Sequence, residues 1–195
     1  MKVLVKIGLA CFSVALALAV GTSPARAVEL KSGIQAGEGI GPFDVVKCAG
    51  AVDDGVDIGA KLCYRCKYGS RPMVMVFSRK ADEKLVSLAK QLDEQVTKNS
   101  SKKLAAFVNL LGEDEEALES KAKELGEKNE IANVPFVVPV EFTDGPGDYG
   151  INPKAEVTVI LAVGGKVVAN HAFEAGKLND KAVNAILADV PKILK

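Results

Sequence analysis

"LCYRCKYGSRPMVMVFSRK", Leu62 to Lys80, sets a CxxC pair, Cys63 and Cys66, just ahead of the apolar run Met73 to Phe77. Consecutive apolar residues have no polar face, which fits a central strand covered on both sides by helices. The cysteines fit three roles: redox centre, metal half-site or crosslink. The rest of the chain has to decide among them.

Downstream, Leu85, Leu88, Ala89, Leu92 and Val96 recur at helical spacing behind the candidate N-cap Asp82. "KLAAFVNLL" reads as the next strand. Leu118, Ala122 and Leu125 then mark a second helix, whose acidic opening Glu113 to Glu116 is stabilised by the helix dipole. "NVPFVVPVEF" is extended, with Pro135 and Pro139 pushing it toward a sheet edge. "AEVTVIL" and "KVVANHAF" flank "AVGG" as a closing hairpin. Val183, Ile186, Leu187 and Val190 form the last helical face after Asn179 or Asp180.

Upstream, "PFDVVKCAGA" and "AKLCYRC" read as a first hairpin around the turn-rich "VDDGVDIG". Asp53, Asp54 and Asp57 lack the spacing of a calcium loop and are read as turn residues. The expected class is α/β: a sheet of mixed direction with helices on both faces and an N-terminal β-hairpin.

The N-terminus carries Lys2 and Lys6, an apolar run from Ile7 to Val20, and the small-x-small triplet Ala25 to Ala27. These are the parts of a secretory signal cleaved after Ala27, and the run is too short to span a bilayer as a helix. The expected organisation is a signal over 1–27, a flexible lead-in over 28–40 and one domain over 41–195. The expected location is secreted or periplasmic, with no stable membrane insertion after cleavage. Removing Lys2, Lys6 and Arg26 from the 25 basic residues leaves 22 against 25 acidic ones, a formal charge of −3 that gives no case for nucleic acid. The expected partner is an unidentified protein.

From Gly41 to Lys195 this order of elements resembles the thioredoxin-like fold, in its redoxin branch of peroxiredoxins and TlpA-type secreted thioredoxins. The resemblance is carried by "RPMVMVF" before a helix and by "NVPFVVPVEFTDGPGDYGINPKAEVTVILAVGGKVV", where an extra strand and a loop ending in Tyr-Gly-Ile precede the hairpin. It implies a reactive cysteine just after the central strand. That position here reads "SRKADEKL", Ser78 to Leu85, and holds none. The proline implied ahead of the hairpin has its nearest counterpart in Pro153, with "KAE" between it and the strand.

"CYRC" precedes the strand, so it belongs roughly 23 Å from the usual redox centre if the strand is straight. Export favours oxidation of the three cysteines left in the mature chain, Cys48, Cys63 and Cys66. If residues 63–66 are extended, their Cα atoms stand about 10 Å apart, beyond disulfide reach. A hairpin turning near Gly55 and Val56 sets Cys48 opposite Cys63. The preferred crosslink is therefore Cys48–Cys63, followed by Cys63–Cys66 and Cys48–Cys66. A redox pair at Cys63 and Cys66, flanked by Arg65 and Lys67, is the main rival. Zinc would need all three cysteines plus His171, and covalent haem lacks its histidine at Lys67, so no metal or cofactor is expected. The functional expectation is a binding or scaffold module with a structural disulfide. The alternative is a thiol-disulfide oxidoreductase with a displaced centre.

Overall fold

The computed structural model describes residues 30–195; the expected signal over 1–27, with Cys11, lies outside them. The described strands are β1 (Val45–Ala49), β2 (Lys61–Leu62), β3 (Met73–Ser78), β4 (Ala105–Leu110), β5 (Phe136–Pro139), β6 (Val157–Val163) and β7 (Lys166–Phe173). The helices are α1 (Tyr64–Tyr68), α2 (Glu83–Lys98), α3 (Glu115–Lys128) and α4 (Asp180–Ile193). The strands form one sheet in the order β2-β1-β5-β4-β3-β6-β7. β3, β4 and β5 run parallel, while β1, β6 and β7 each run antiparallel to a neighbour.

Every residue of β3 is buried, as its unbroken apolar run requires. The three long helices start on side-chain caps: Asp82 accepts from the Lys84 and Leu85 amides, Asp114 from Ala117, and Asn179 from Ala182. The crossovers β3-α2-β4 and β4-α3-β5 step in the same direction across the sheet. Right-handed crossovers of that kind lay both helices on one face. α4 joins them, so Leu85, Leu88, Ala122, Leu125, Val183 and Ile186 share one core with Val74, Val76 and Val108. On the other face Met73, Met75, Phe77 and Phe107 pack against Tyr64 and Tyr68 of α1, Tyr149, and Ile34 and Ile40.

That second face explains the first correction. The segment expected to be a flexible lead-in packs as a strap from Leu30 onward, because none of the long helices among the described residues covers this side. Ile34 and Ile40 are buried. The strap's polar groups find partners on β6, β7 and the loops beside them: Ser32 Oγ lies 2.6 Å from Thr158 Oγ1, and Asn170 Nδ2 donates to the Ser32 and Ile34 carbonyls. The second correction concerns β5, which is interior, between β1 and β4. Its prolines do not interrupt the ladder, since Pro135 precedes the strand and Pro139 ends it. The third is that "CYRC" is not strand: β2 stops at Leu62 and the chain turns into α1.

Candidate functional site at the amino end of β3

The register of the first hairpin decides the cysteine pairing. Val45 lies opposite Leu62 and Val46 opposite Lys61. Continued, this register sets Gly59 across from Cys48 and Asp44 across from Cys63, four residues away from the arrangement that would join the cysteines. Cys48 also belongs to the face beneath α3, whereas α1 packs on the opposite face. The expected Cys48–Cys63 crosslink is therefore not formed. Cys48 is a buried free thiol, and the bond joins Cys63 to Cys66, whose Cα atoms are 5.2 Å apart.

Helical geometry makes that pairing possible, because one turn brings residues three apart onto one side. Cys63 is the N-cap of α1, and its Sγ accepts the Cys66 backbone N–H at 3.0 Å. Gly69 ends the helix with φ +61°, a conformation that suits glycine. Cys66 is exposed and Cys63 half-buried. Burial, reinforced by Glu119, pushes the Cys48 thiol up to about 12, so it remains protonated and unreactive.

Behind the disulfide lies a polar network that the sequence did not announce. Lys47 sits on the inner face of β1 and is 1% exposed. Its Nζ donates to the Ala51 carbonyl at 2.9 Å, the Val56 carbonyl at 2.7 Å and Asp54 Oδ1 at 2.8 Å. Asp54 Oδ2 accepts the Tyr64 hydroxyl at 2.6 Å. Burial opposes ionisation of Asp54, but the hydrogen bonds from Lys47 and Tyr64 outweigh it and hold its pKa below the ordinary carboxylate range. The same burial, with the carboxylate beside it, drives the Tyr64 phenol far up. The loop read as a plain turn is thus fastened on one side to Lys47 of β1 and on the other to Tyr64, one of the two residues between the cysteines. The available signal was Lys47 itself, a lysine on the core side of a strand followed by an Asp-rich loop.

Beside α1 a cavity of about 440 Å³ opens between the 51–54 loop and the start of β4, lined among others by Val52, Lys67, Tyr68, Arg71 and Leu104. Val52 is 76% exposed. Arg71 Nε donates to the Lys103 carbonyl at 2.8 Å, and the guanidinium lies 5.1 Å from the Tyr68 ring centroid.

The opposite end of β3 ties its polar side chains to nearby backbone, beside a cavity of about 260 Å³ lined among others by Phe43, Pro139, Glu141 and Asp148. Ser78 Oγ donates to the Lys80 carbonyl, Arg79 Nη1 to the Thr143 carbonyl at 2.6 Å, and the Tyr149 hydroxyl to the Gly41 carbonyl at 2.8 Å. Pro153 is not in a cis peptide, since none occurs among the described residues. His171 meets Asp189 at 3.1 Å, Cys48 lies under α3, and Cys63 and Cys66 are bonded to each other. The four residues considered as a zinc set are not brought together.

No family model matches this chain, and no curated protein matches its sequence. Solved structures do. The chain is similar to Mycobacterium tuberculosis AhpC, at 9% identity and TM-score 0.60, covering 83% of this chain and 99% of that one. It is similar to the yeast mitochondrial 1-Cys peroxiredoxin, at 10% identity and TM-score 0.54 over 82% of this chain and 76% of that one. This is a thioredoxin-like fold. A thiol-disulfide oxidoreductase from Bacteroides fragilis shares the thioredoxin-like fold at 17% identity and TM-score 0.50, over 78% of this chain and 99% of that one. At such identities the likeness is one of fold. The redoxin-type Tyr149-Gly150-Ile151 turn and the β6-β7 hairpin stand where the resemblance expected them.

Proposed function

We propose that the protein is an exported thiol-disulfide exchange module whose dithiol centre is Cys63 and Cys66, displaced to the amino end of β3. The observation that carries this reading is an exposed CxxC on a helix start, with the Cys63 sulfur already facing an N–H donor. A thiolate from a protein dithiol attacks the accessible Cys66 sulfur and breaks the Cys63–Cys66 bond. The electron pair leaves on Cys63, where the Cys66 amide at 3.0 Å stabilises the anion. The partner's second thiolate then attacks the mixed disulfide and expels Cys66. The partner's two thiols give up their protons and become a disulfide, while Cys63 and Cys66 take up two electrons and two protons. The reverse sequence reduces a partner disulfide.

A purely structural crosslink is less well supported. The bond spans a sequence separation of 3, within one helix start, and ties no separate elements together. On chain-entropy grounds so short a loop stabilises by roughly 2 kcal/mol, against about 3 kcal/mol for the loop that Cys48–Cys63 would have closed. The reading as a binding module rests on the cysteine-free stretch Ser78 to Leu85 at the family's usual site. The export signal supports an oxidising location, where such exchange has substrates.

Insulin reduction by the mature protein, with Cys63→Ser and Cys66→Ser alongside, tests the proposal. Turnover lost in both variants is expected. Turnover that survives either substitution, or none in the wild type with any dithiol donor, sinks it and leaves the binding module.

A further inference from the structure

We propose that the groove beside α1 holds an acidic, extended peptide segment of the protein whose cysteines exchange with Cys63 and Cys66; this rests on the function proposed above. The 440 Å³ cavity continues past Arg71, Val96, Leu104 and Asn133 into a second hollow that reaches Ser100 and Lys103. Together they form one channel running from Lys67, next to Cys66, across the amino ends of β3 and β4. Val96, Leu104 and the Tyr68 ring give it apolar patches within a largely polar lining, with exposed Val52 standing at one wall.

Charge complementarity names the occupant. Lys67, Arg71 and Lys103 line this channel, and none has a carboxylate partner within salt-bridge distance among the described residues. The carboxylates on its walls are Asp53 and Asp54, and Asp54 is already engaged by Lys47 and Tyr64. The channel is thus cationic on a mature chain whose formal charge is negative. Apolar patches along such a channel take some side chains of an extended segment, and the unpaired rim cations select acidic ones and speed encounter. Because Lys67 adjoins Cys66, a segment seated here delivers its own cysteine to the exposed sulfur.

Fluorescence anisotropy with two labelled, cysteine-free peptides, identical except for Glu or Lys at alternate positions, tests this on the mature protein. The variant Lys67→Glu/Lys103→Glu alters two exposed side chains and leaves Arg71 on Tyr68, and circular dichroism checks that the fold is kept. The acidic peptide is expected to bind wild type, to weaken about tenfold in the double variant, and to lose affinity with added salt. Equal binding of both peptides, an unchanged affinity in the variant, or tighter binding of a single-stranded oligonucleotide overturns the proposal. Disulfide-bearing versions of the same peptides separate the two claims. Acidic binding without turnover fails the exchange function and keeps the groove, whereas equal turnover of both peptides keeps the function and fails the groove.

Discussion

The two ends of β3 are built from opposite kinds of material. At the carboxyl end, Ser78 Oγ and the Arg79 amide and Nη1 bond the backbone of Lys80, Glu156 and Thr143, the ion pair from Arg79 Nη2 reaches Asp144, which is 77% exposed, and the buried Arg79 Nε has no partner among the described residues. At the amino end lie the disulfide, a buried Lys-Asp-Tyr network and an open channel. The fold's customary reactive end holds no cysteine, and the end opposite to it carries the disulfide and the buried network. A short helix and a long hairpin loop before β3 place them there, the helix packing on the sheet face that carries Met73 and Phe107.

The sharpest way to break this contrast is to substitute at both ends and measure exchange. Cys66→Ser is expected to abolish thiol turnover, whereas Lys80→Ala, at an exposed residue of the carboxyl end, is expected to leave it within about twofold; the reverse pattern would relocate the site.

Stability separates the ends next. Lys47→Met strands Asp54 and two carbonyls in a buried setting, which is expected to cost about 3–5 kcal/mol in urea unfolding. Arg79→Met gives up one backbone hydrogen bond and an ion pair to an exposed carboxylate, and about 1 kcal/mol is expected. The paired tyrosines refine the scale. Tyr64→Phe loses a bond to an ionised acceptor, roughly 1.5–3 kcal/mol, while Tyr149→Phe loses one to a neutral carbonyl, roughly 0.5–1.5 kcal/mol.

The smallest effect is the dependence on pH. Asp54 titrates below its unfolded value, so its contribution is present above about pH 4 and lost as pH falls through the folded pKa. Asp54→Asn should flatten that acid limb in thermal melts. Cys48 titrates above its ordinary value of 9.0, so stability present below that pH is lost as pH rises toward about 12, and Cys48→Ala should flatten that limb.

Most of the fold was legible because its signals are local. The run Met73 to Phe77, the helical spacing from Leu85 to Val96, the Asp82 and Asn179 caps and the Gly164-Gly165 turn each act within a few residues, and each stands where expected. The interior place of β5 was not legible, because an edge and an interior strand with prolines only at its ends read alike. The strap over 30–41 was not either: its glycines suggest freedom, and only the uncovered sheet face makes its burial favourable.

By itself, then, the sequence determined the order and type of the elements from β3 onward, the absence of a cysteine at the carboxyl end of β3 and the presence of a CxxC before it. Tertiary structure alone decided what that CxxC is. A hairpin register shifted by four residues carries Cys48 away from Cys63, and the turn into α1 takes the CxxC to the face opposite Cys48 and brings Cys66 to Cys63 instead. Pairing across a hairpin depends on where the turn closes, and the Asp and Gly residues spread along "VDDGVDIG" offer several places for it. The buried Lys47 network selects the one that forms.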